Sequence, residues 1–365
     1  MINHINIKGY KSIKDTAIEL TPINILIGSN GVGKSNFISF FKLLNEIYEK
    51  RLENFSLKKG SESLLYFGHK ITPEIEGYIE FDHKNGYKFT LEPTENNTLI
   101  IKKEQGRFDG KKGLSFSAPH WFDKTFGSNL KESQLKGIND ENGIGFYVSH
   151  YLQSFKIYHF HDTSATSKLR TPAMITDNIR LREDGDNLPS FLYFLQEKHP
   201  KHFKRIERTI KTIAPYFDGF HLLPDRIAED RINLEWRATG HPDFPFNAHH
   251  LSDGTIRFIA LSTLLMQPDL PKTIIIDEPE IGLHPVAIHK LSGLIKKASA
   301  KCQIIIATQS ANLVSHFNPS DIITVDRVNN ESVFDRPDEE KLESWLEEFT
   351  LGDLWLKNMI KGQPF

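Results

Sequence analysis

The chain is poor in cysteine, has almost no net charge and contains no long apolar run. A single cysteine, Cys302, in 365 residues rules out intramolecular disulfides and any cysteine-built zinc cage. No stretch of about eighteen consecutive apolar residues occurs, which excludes a membrane-spanning helix. Residues 1–7 alternate apolar and polar like a strand, with neither a basic leader nor an apolar signal core, so a cytoplasmic protein is expected. With a net charge of −2 there is no global field to steer a polyanion, and any affinity for nucleic acid must come from local patches. Sustained heptads and internal repeats are also missing, which excludes a long coiled-coil arm. What is present is ordinary core material: 39% hydrophobic residues, 25% charged residues and 26 Phe. One compound globule is expected.

The first sixty residues read as strand, strand, glycine loop and helix, with an apolar run at 23–27 and helical spacing in Phe37, Phe40, Phe41, Leu44, Ile47 and Tyr48. Residues 75–81, 87–91 and 98–101 read as a meander of strands separated by Asp, Asn and Gly turns. From 103 to about 145 the chain is polar and glycine-rich, and reads as long loops with short elements. Further on, 156–160 is a strand candidate, 189–216 is helical with a break near Pro200, and 232–237 is another strand. Strand and helix then alternate: helix 255–266, strand 273–277, helix 285–298, strand 303–307, helix 310–316, strand 321–326. Such alternation implies a parallel sheet. Short C-terminal helices are expected at 341–348 and 351–360.

Three motifs carry chemistry. Gly28-Ser29-Asn30-Gly31-Val32-Gly33-Lys34-Ser35 fits the full P-loop pattern between a strand and a helix. Its glycines let successive N–H groups curl round phosphates, the helix N-terminus adds partial positive charge, Lys34 reaches the β and γ phosphates, and Ser35 can ligate Mg²⁺. The nucleotide-binding residues of this loop are Ser29, Asn30, Gly31, Val32, Gly33, Lys34, Ser35 and Asn36. A second motif, Ile274-Ile275-Ile276-Asp277-Glu278, delivers Asp277 to a strand end, where it can hold the Mg²⁺ water shell, and places Glu278 to polarise an attacking water. Lys34 and Asp277 lie more than two hundred residues apart, so something large is inserted between the two halves. Just ahead of the second motif, Leu251-Ser252-Asp253-Gly254-Thr255 leads into an apolar helix. Ser252 can cap it while the helix start faces the γ-phosphate of a second molecule.

The series 28–35, 251–255 and 277–278 resembles the ABC ATPase heads of the SMC and RecF-like group, in a small bacterial form without coiled-coil arms or a TOPRIM domain. Residues 5–13 are similar to the first strand of those heads, with Lys11 by the adenine. Thr308-Gln309-Ser310 resembles the switch segment, with Gln309 where histidine is usual; an amide can hydrogen-bond a phosphate oxygen but carries no proton. His284 stands where ABC transporters commonly have aspartate. The glutamine-bearing loop of the family has its nearest counterpart at His161. His159 and His161 alternate along a strand and also read as a metal pair or as plain structural histidines.

The resemblance implies an α/β P-loop fold with a mixed or parallel central sheet, an N-terminal antiparallel β lobe and a helical subdomain. The division expected is a lobe at 1–160 with P-loop and meander, a helical insert at 161–246, a signature and Walker B lobe at 247–330, and C-terminal helices at 331–365, all within one head. Catalytic roles fall to Glu278, Lys34 and Gln309, the trans signature to Ser252, Asp253 and Gly254, and Mg²⁺ binding to Ser35 and Asp277. ATP and Mg²⁺ are the implied cofactors. An ATP-bridged homodimer or higher oligomer is the implied assembly, with DNA and a separate nuclease or effector as partners and no membrane. Two functions stay open: an ATPase whose dimer acts on DNA in repair or anti-phage defence, and a weakly hydrolysing ATP-gated subunit that controls an effector. A transporter ATPase is a third. Six cations between Lys198 and Lys211 could line a phosphate groove or form a solvated helix face.

Overall fold

The computed structural model describes residues 1–109, 121–138 and 143–363. The chain divides into two compact units: residues 1–155 with 318–365, and residues 156–317.

In the first unit, six antiparallel strands lie side by side in the order Ile13–Glu19, Ile2–Tyr10, Ile75–Phe81, Asn85–Pro93, Leu99–Asp109 and Trp121–Leu130. Alternation decides their faces. Along Ile75–Phe81 the residues Ile75, Gly77, Ile79 and Phe81 are buried while Glu76, Tyr78 and Glu80 are less so, the period of two of a sheet with one covered face. The segment after 103 is therefore richer in strand than its composition suggests. Leu99–Asp109 runs on to pair with Trp121–Leu130; residues 110–120 and 139–142 of the expected loop region lie outside the described residues. Glu104 is wholly buried here, accepting hydrogen bonds from the Tyr87 and Ser133 hydroxyls at 2.8 and 2.6 Å and from the Gln134 amide at 3.1 Å.

The strand Ile23–Ile27 is buried at every position, as befits a parallel strand covered on both faces, and it pairs in parallel with Ile322–Val328. The latter turns back through Asn329 and Asn330, with φ of 51° and 65°, into an antiparallel strand Glu331–Asp335. That hairpin strand is absent from the reading of 331–365 as helices alone; helices follow it at Glu339–Leu346 and Leu351–Leu356. The phosphate-loop helix, Lys34–Tyr48, buries the apolar face expected from its spacing. Phe40 stands at its centre, stacked on Phe89 at 6.0 Å and edge-on to Tyr10 at 5.6 Å, and so joins the helix to the antiparallel sheet.

In the second unit, Thr273–Asp277 and Gln303–Thr308 form a parallel pair in which Asp277 stands opposite Ala307. The signature helix Asp253–Met266 and the helix Pro285–Ser299 pack against one another. Residues 161–246 hold the helices Leu188–Lys198 and Pro200–Lys211, broken at Pro200 as expected, together with short strands; Phe217–Phe220, Glu235–Ala238 and His241–Asn247 make a three-stranded antiparallel sheet. The single strand expected at 232–237 is two, Arg231–Ile232 and Glu235–Ala238, which belong to different sheets. Among the described residues no helix is long and apolar enough to cross a membrane.

Phe40→Ala should destabilise the protein by about 3–5 kcal/mol, because it deletes a fully buried aromatic and leaves a cavity that rigid neighbours cannot close. A fall in the urea midpoint at unchanged slope is the expected reading.

Candidate functional site

The phosphate loop in the first unit is shaped by two left-handed glycines. Gly31 and Gly33 have φ of 78° and 120°, conformations that cost a side chain dearly. At Gly33 a Cβ would also meet the Ser332 hydroxyl oxygen at 2.1 Å, and at Gly28 it would meet the Val325 carbonyl oxygen at 2.4 Å. No side chain caps the helix that begins at Lys34, so its first N–H groups remain open to an anion. Lys34 is buried, and its ammonium donates to the Gly28 and Ser29 carbonyls at 2.6 and 2.9 Å. Asn30 and Ser35 are exposed, while Asn36 donates to the Ser12 hydroxyl at 2.7 Å.

The strand Glu331–Asp335 buttresses this loop. The Ser332 hydroxyl donates to the Val32 carbonyl, and it lies 2.6 Å from the Ser12 hydroxyl. The Ser332 amide donates to the Ser12 carbonyl at 2.8 Å. Sequence reasoning missed both serines. The signal that could have found the strand is Asn329-Asn330 after an apolar residue, a two-residue hairpin turn with both φ values positive. Beside the loop, still within the first unit, a cavity of about 630 Å³ is lined by Gly31, Asn36, Lys11, Phe67, Arg327 and Asn330 among others. Lys11, expected near the base, therefore shares one cavity wall with the phosphate loop. Its Nζ donates to the Ser39 hydroxyl at 2.8 Å, and burial, with Lys59 and Lys42 adding repulsion, pushes its pKa down.

The second unit gathers the remaining candidates. Asp277 and Glu278 lie beside His161, Phe160 and Arg257. Glu278 adopts the left-handed conformation at φ 41°, and its amide donates to the Ala307 carbonyl at 2.8 Å. The Gln309 side-chain amide donates to the Glu278 carboxylate, so the switch position and the expected base are in direct contact. Glu280, which the sequence reading passed over, is buried. It accepts from the Thr308 hydroxyl and from the Gln309 backbone amide at 3.4 Å. Burial raises its pKa, against the hydrogen bonds that favour the anion.

Ser252 caps the signature helix, accepting from the Thr255 amide at 3.2 Å. Ser252 and Asp253 are exposed at the helix start. Two buried guanidinium groups hold this region. Arg170 donates to the Thr163, Ala248 and Leu251 carbonyls and to Asp253 at 2.8 Å. Arg257 reaches back to the carbonyls of Phe160 and His161 at 2.9 and 2.7 Å. Neither arginine has a motif signature, because each acts on backbone carbonyls distant in sequence. Gly254 has no room for a side chain: its Cβ would lie 2.4 Å from the Gly282 carbonyl oxygen. His284 caps the helix Pro285–Ser299, its Nδ1 accepting from the Val286 amide at 3.3 Å, the capping role an aspartate would fill equally well. His159 and His161 are exposed with ring centroids 6.1 Å apart. Among the described residues no cluster of three or more His, Cys, Asp or Glu is arranged to hold a metal, which leaves that pair without a third ligand.

The family described as "AAA domain, putative AbiEii toxin, Type IV TA system" matches residues 23–315. An ATP/GTP phosphatase of Helicobacter pylori is 22% identical over 310 residues, spanning 78% of this chain and 77% of that protein. Urease accessory protein 2 of Cryptococcus neoformans is 24% identical over 246 residues, or 60% of this chain; the match spans only 20% of that relative's own length. A crystal structure of an Smc head bound to the C-winged helix domain of ScpA superimposes with a TM-score of 0.58 at 14% identity, covering 94% of this chain and 99% of that one. At such identity the last likeness shows the fold alone. The chain belongs to this AAA-domain family and is an ATPase, with a fold like that of an SMC head.

Proposed function

We propose that the protein binds ATP with Mg²⁺ on the phosphate loop and hydrolyses it, and that two copies close head to head around the nucleotide. The observation that carries this reading is the uncapped helix start at Lys34, approached by two left-handed glycines with a buried ammonium beneath them. The glycine contacts leave the cradle no room for a side chain, which suits a loop that wraps phosphates through its backbone. Lys34 would transfer its ammonium from the loop carbonyls to the β and γ phosphates. Ser35 and Asp277 would hold Mg²⁺, which when bound neutralises phosphate charge. Glu278 would take the proton of the attacking water, and Gln309 would hold its carboxylate in place. In a dimer, Ser252, Asp253 and Gly254 would meet the γ-phosphate bound to the other copy; the exposure of Ser252 and Asp253 at a helix N-terminus supports that use.

A DNA-linked role, in repair or anti-phage defence, draws support from the helix Pro200–Lys211. Its buried face is Phe203, Ile206 and Ile210, and its exposed face carries Lys201, Lys204, Arg205, Arg208 and Lys211. Of these, only Lys211 makes a salt bridge to a described residue, Asp218 at 2.9 Å. Cations at this spacing suit a phosphate backbone. The reading as an ATP-gated subunit controlling a separate effector such as a nuclease draws on Gln309, which touches Glu278 yet cannot relay a proton.

Lys34→Ala should weaken ATP binding about 30-fold or more, the cost of removing a buried charge from its phosphate partner. Glu278→Gln should keep binding and lose about 100-fold in kcat, the share of a general base. Both are read by equilibrium titration and steady-state turnover, and full turnover in Glu278→Gln would refute its assignment as base. Light scattering of Glu278→Gln should show the mass doubling with Mg-ATP, and Ser252→Arg in the same background should abolish the doubling. Charge reversal at Lys201, Arg205 and Arg208 should flatten the salt dependence of duplex DNA binding by about three phosphate contacts; an unchanged slope would remove this helix from the interface. If Gln309→His raises turnover, the slow, gated reading gains; if it does not, the switch residue does not limit the rate.

A further inference from the structure

The structure assigns to Glu280 a task beyond these roles: we infer that it is a positioning residue, which fixes Thr308 and Gln309 so that Gln309 in turn holds Glu278 ready for the attacking water. The inference rests on the reading of Glu278 as the base.

The geometry forms a closed chain of contacts within the second unit. Glu278 leaves the strand Thr273–Asp277 at a left-handed φ of 41°, and its backbone is tied to Ala307 at 2.8 Å. Its carboxylate is held by the Gln309 side-chain amide. Gln309 is exposed, so burial does not fix its side chain; its backbone must supply the aim. The Glu280 carboxylate reaches that backbone. Its Oε1 accepts from the Thr308 hydroxyl and from the Gln309 amide at 3.4 Å. The Thr308 hydroxyl oxygen also accepts the Ser310 amide at 3.0 Å, so Thr308, Gln309 and Ser310 are all set by one acid two residues beyond Glu278.

Glu280 is 8% exposed, and its Oε2 makes no hydrogen bond among the described residues. A carboxyl group is an expensive choice for such a place if only packing were required, because an unmatched buried oxygen costs stability that an apolar side chain would keep. Leucine would fill the space. What leucine lacks is an acceptor for two consecutive residues at the mouth of the strand Gln303–Thr308, and that acceptor is what the switch segment uses. Without it the Thr308 hydroxyl and the Gln309 amide lose their anchor, and the Gln309 side chain no longer presents its amide to Glu278 in a fixed geometry. Small displacements of a catalytic group are costly in rate, whereas nucleotide affinity, assigned to the phosphate loop, is untouched.

The test is a set of variants on the full chain, each checked for folding by thermal melt and for Mg-ATP affinity by titration. Glu280→Ala should lower kcat about 10- to 100-fold with KM and nucleotide affinity little changed, the expected size of a lost orientation. Glu280→Gln should restore most of the turnover, because an amide oxygen still accepts from Thr308 and Gln309. Thr308→Val, which keeps the shape and removes the donor, should lower kcat in the same direction and serves if Glu280→Ala fails to fold. The deciding comparison is a double-mutant cycle. In a Gln309→Ala background, Glu280→Ala should have almost no further effect on kcat, because the residue through which it acts has gone.

Equal losses in both backgrounds overturn the inference, as does a rise in KM without a fall in kcat. Turnover lost in Glu278→Gln but kept in Glu280→Ala and Thr308→Val overturns the role of Glu280 alone. Turnover kept in Glu278→Gln removes the base assignment itself, and this inference with it.

Discussion

A glutamate held in a left-handed backbone conformation is the constraint around which the second unit is arranged. A residue with a Cβ pays about 1–3 kcal/mol to sit at such a φ, and it stays only where its neighbours leave no alternative. For Glu278 the neighbours are identifiable. The parallel register sets Asp277 opposite Ala307, which brings the next amide onto the Ala307 carbonyl. The switch amide then meets the carboxylate from the adjacent strand end. The buried strand pair is thus a device for aiming one acid, and the all-apolar run from Ile274 to Ile276 gives it rigidity by leaving nothing that water would pull outward.

Guanidinium groups hold the remainder of that unit. Arg170 and Arg257 are almost fully buried and direct most of their hydrogen bonds to backbone carbonyls, five of them in all. Lysine would not serve, since a point charge cannot reach several carbonyls in one plane. Both arginines converge on the start or the first turns of the signature helix, one through Leu251 and Asp253 and the other from within the helix itself. The close approach of Gly254 to Gly282 adds a contact in which backbone meets backbone. The exposed helix start therefore packs directly against the loop that follows Glu278.

The parts legible in the sequence are those whose physics is local. Glycines that need positive φ, an apolar run ending in two acids, a serine ahead of an apolar helix and a proline that breaks one are written in adjacent residues, and the structure places each where its neighbours imply. The parts missed depend on partners far along the chain. Trp121–Leu130 is a strand because Leu99–Asp109 lies beside it, not because of its own alternation. Glu104 reads as surface until Tyr87, Ser133 and Gln134 satisfy it. Ser332 and Ser12 are ordinary serines until the fold sets one hydroxyl against the other. Glu280 reads as one acid among several in a loop, and acquires meaning only when Thr308 arrives beside it. The His159 and His161 pair shows the converse, since a local pattern that reads as a metal pair or as plain structural histidines gains no metal-holding cluster among the described residues.

The serine pair ties the phosphate loop to a distant part of the chain. The phosphate loop is encoded within the first tenth of the chain, yet its floor includes the hydroxyl of Ser332, and the strand behind Gly28 includes Val325. The loop therefore takes part of its support from a residue 300 positions further along the chain. The motif alone is then not the cradle: without the strand Glu331–Asp335, residues 28–35 would keep their glycines and their lysine and lose the hydroxyl that holds the Val32 carbonyl.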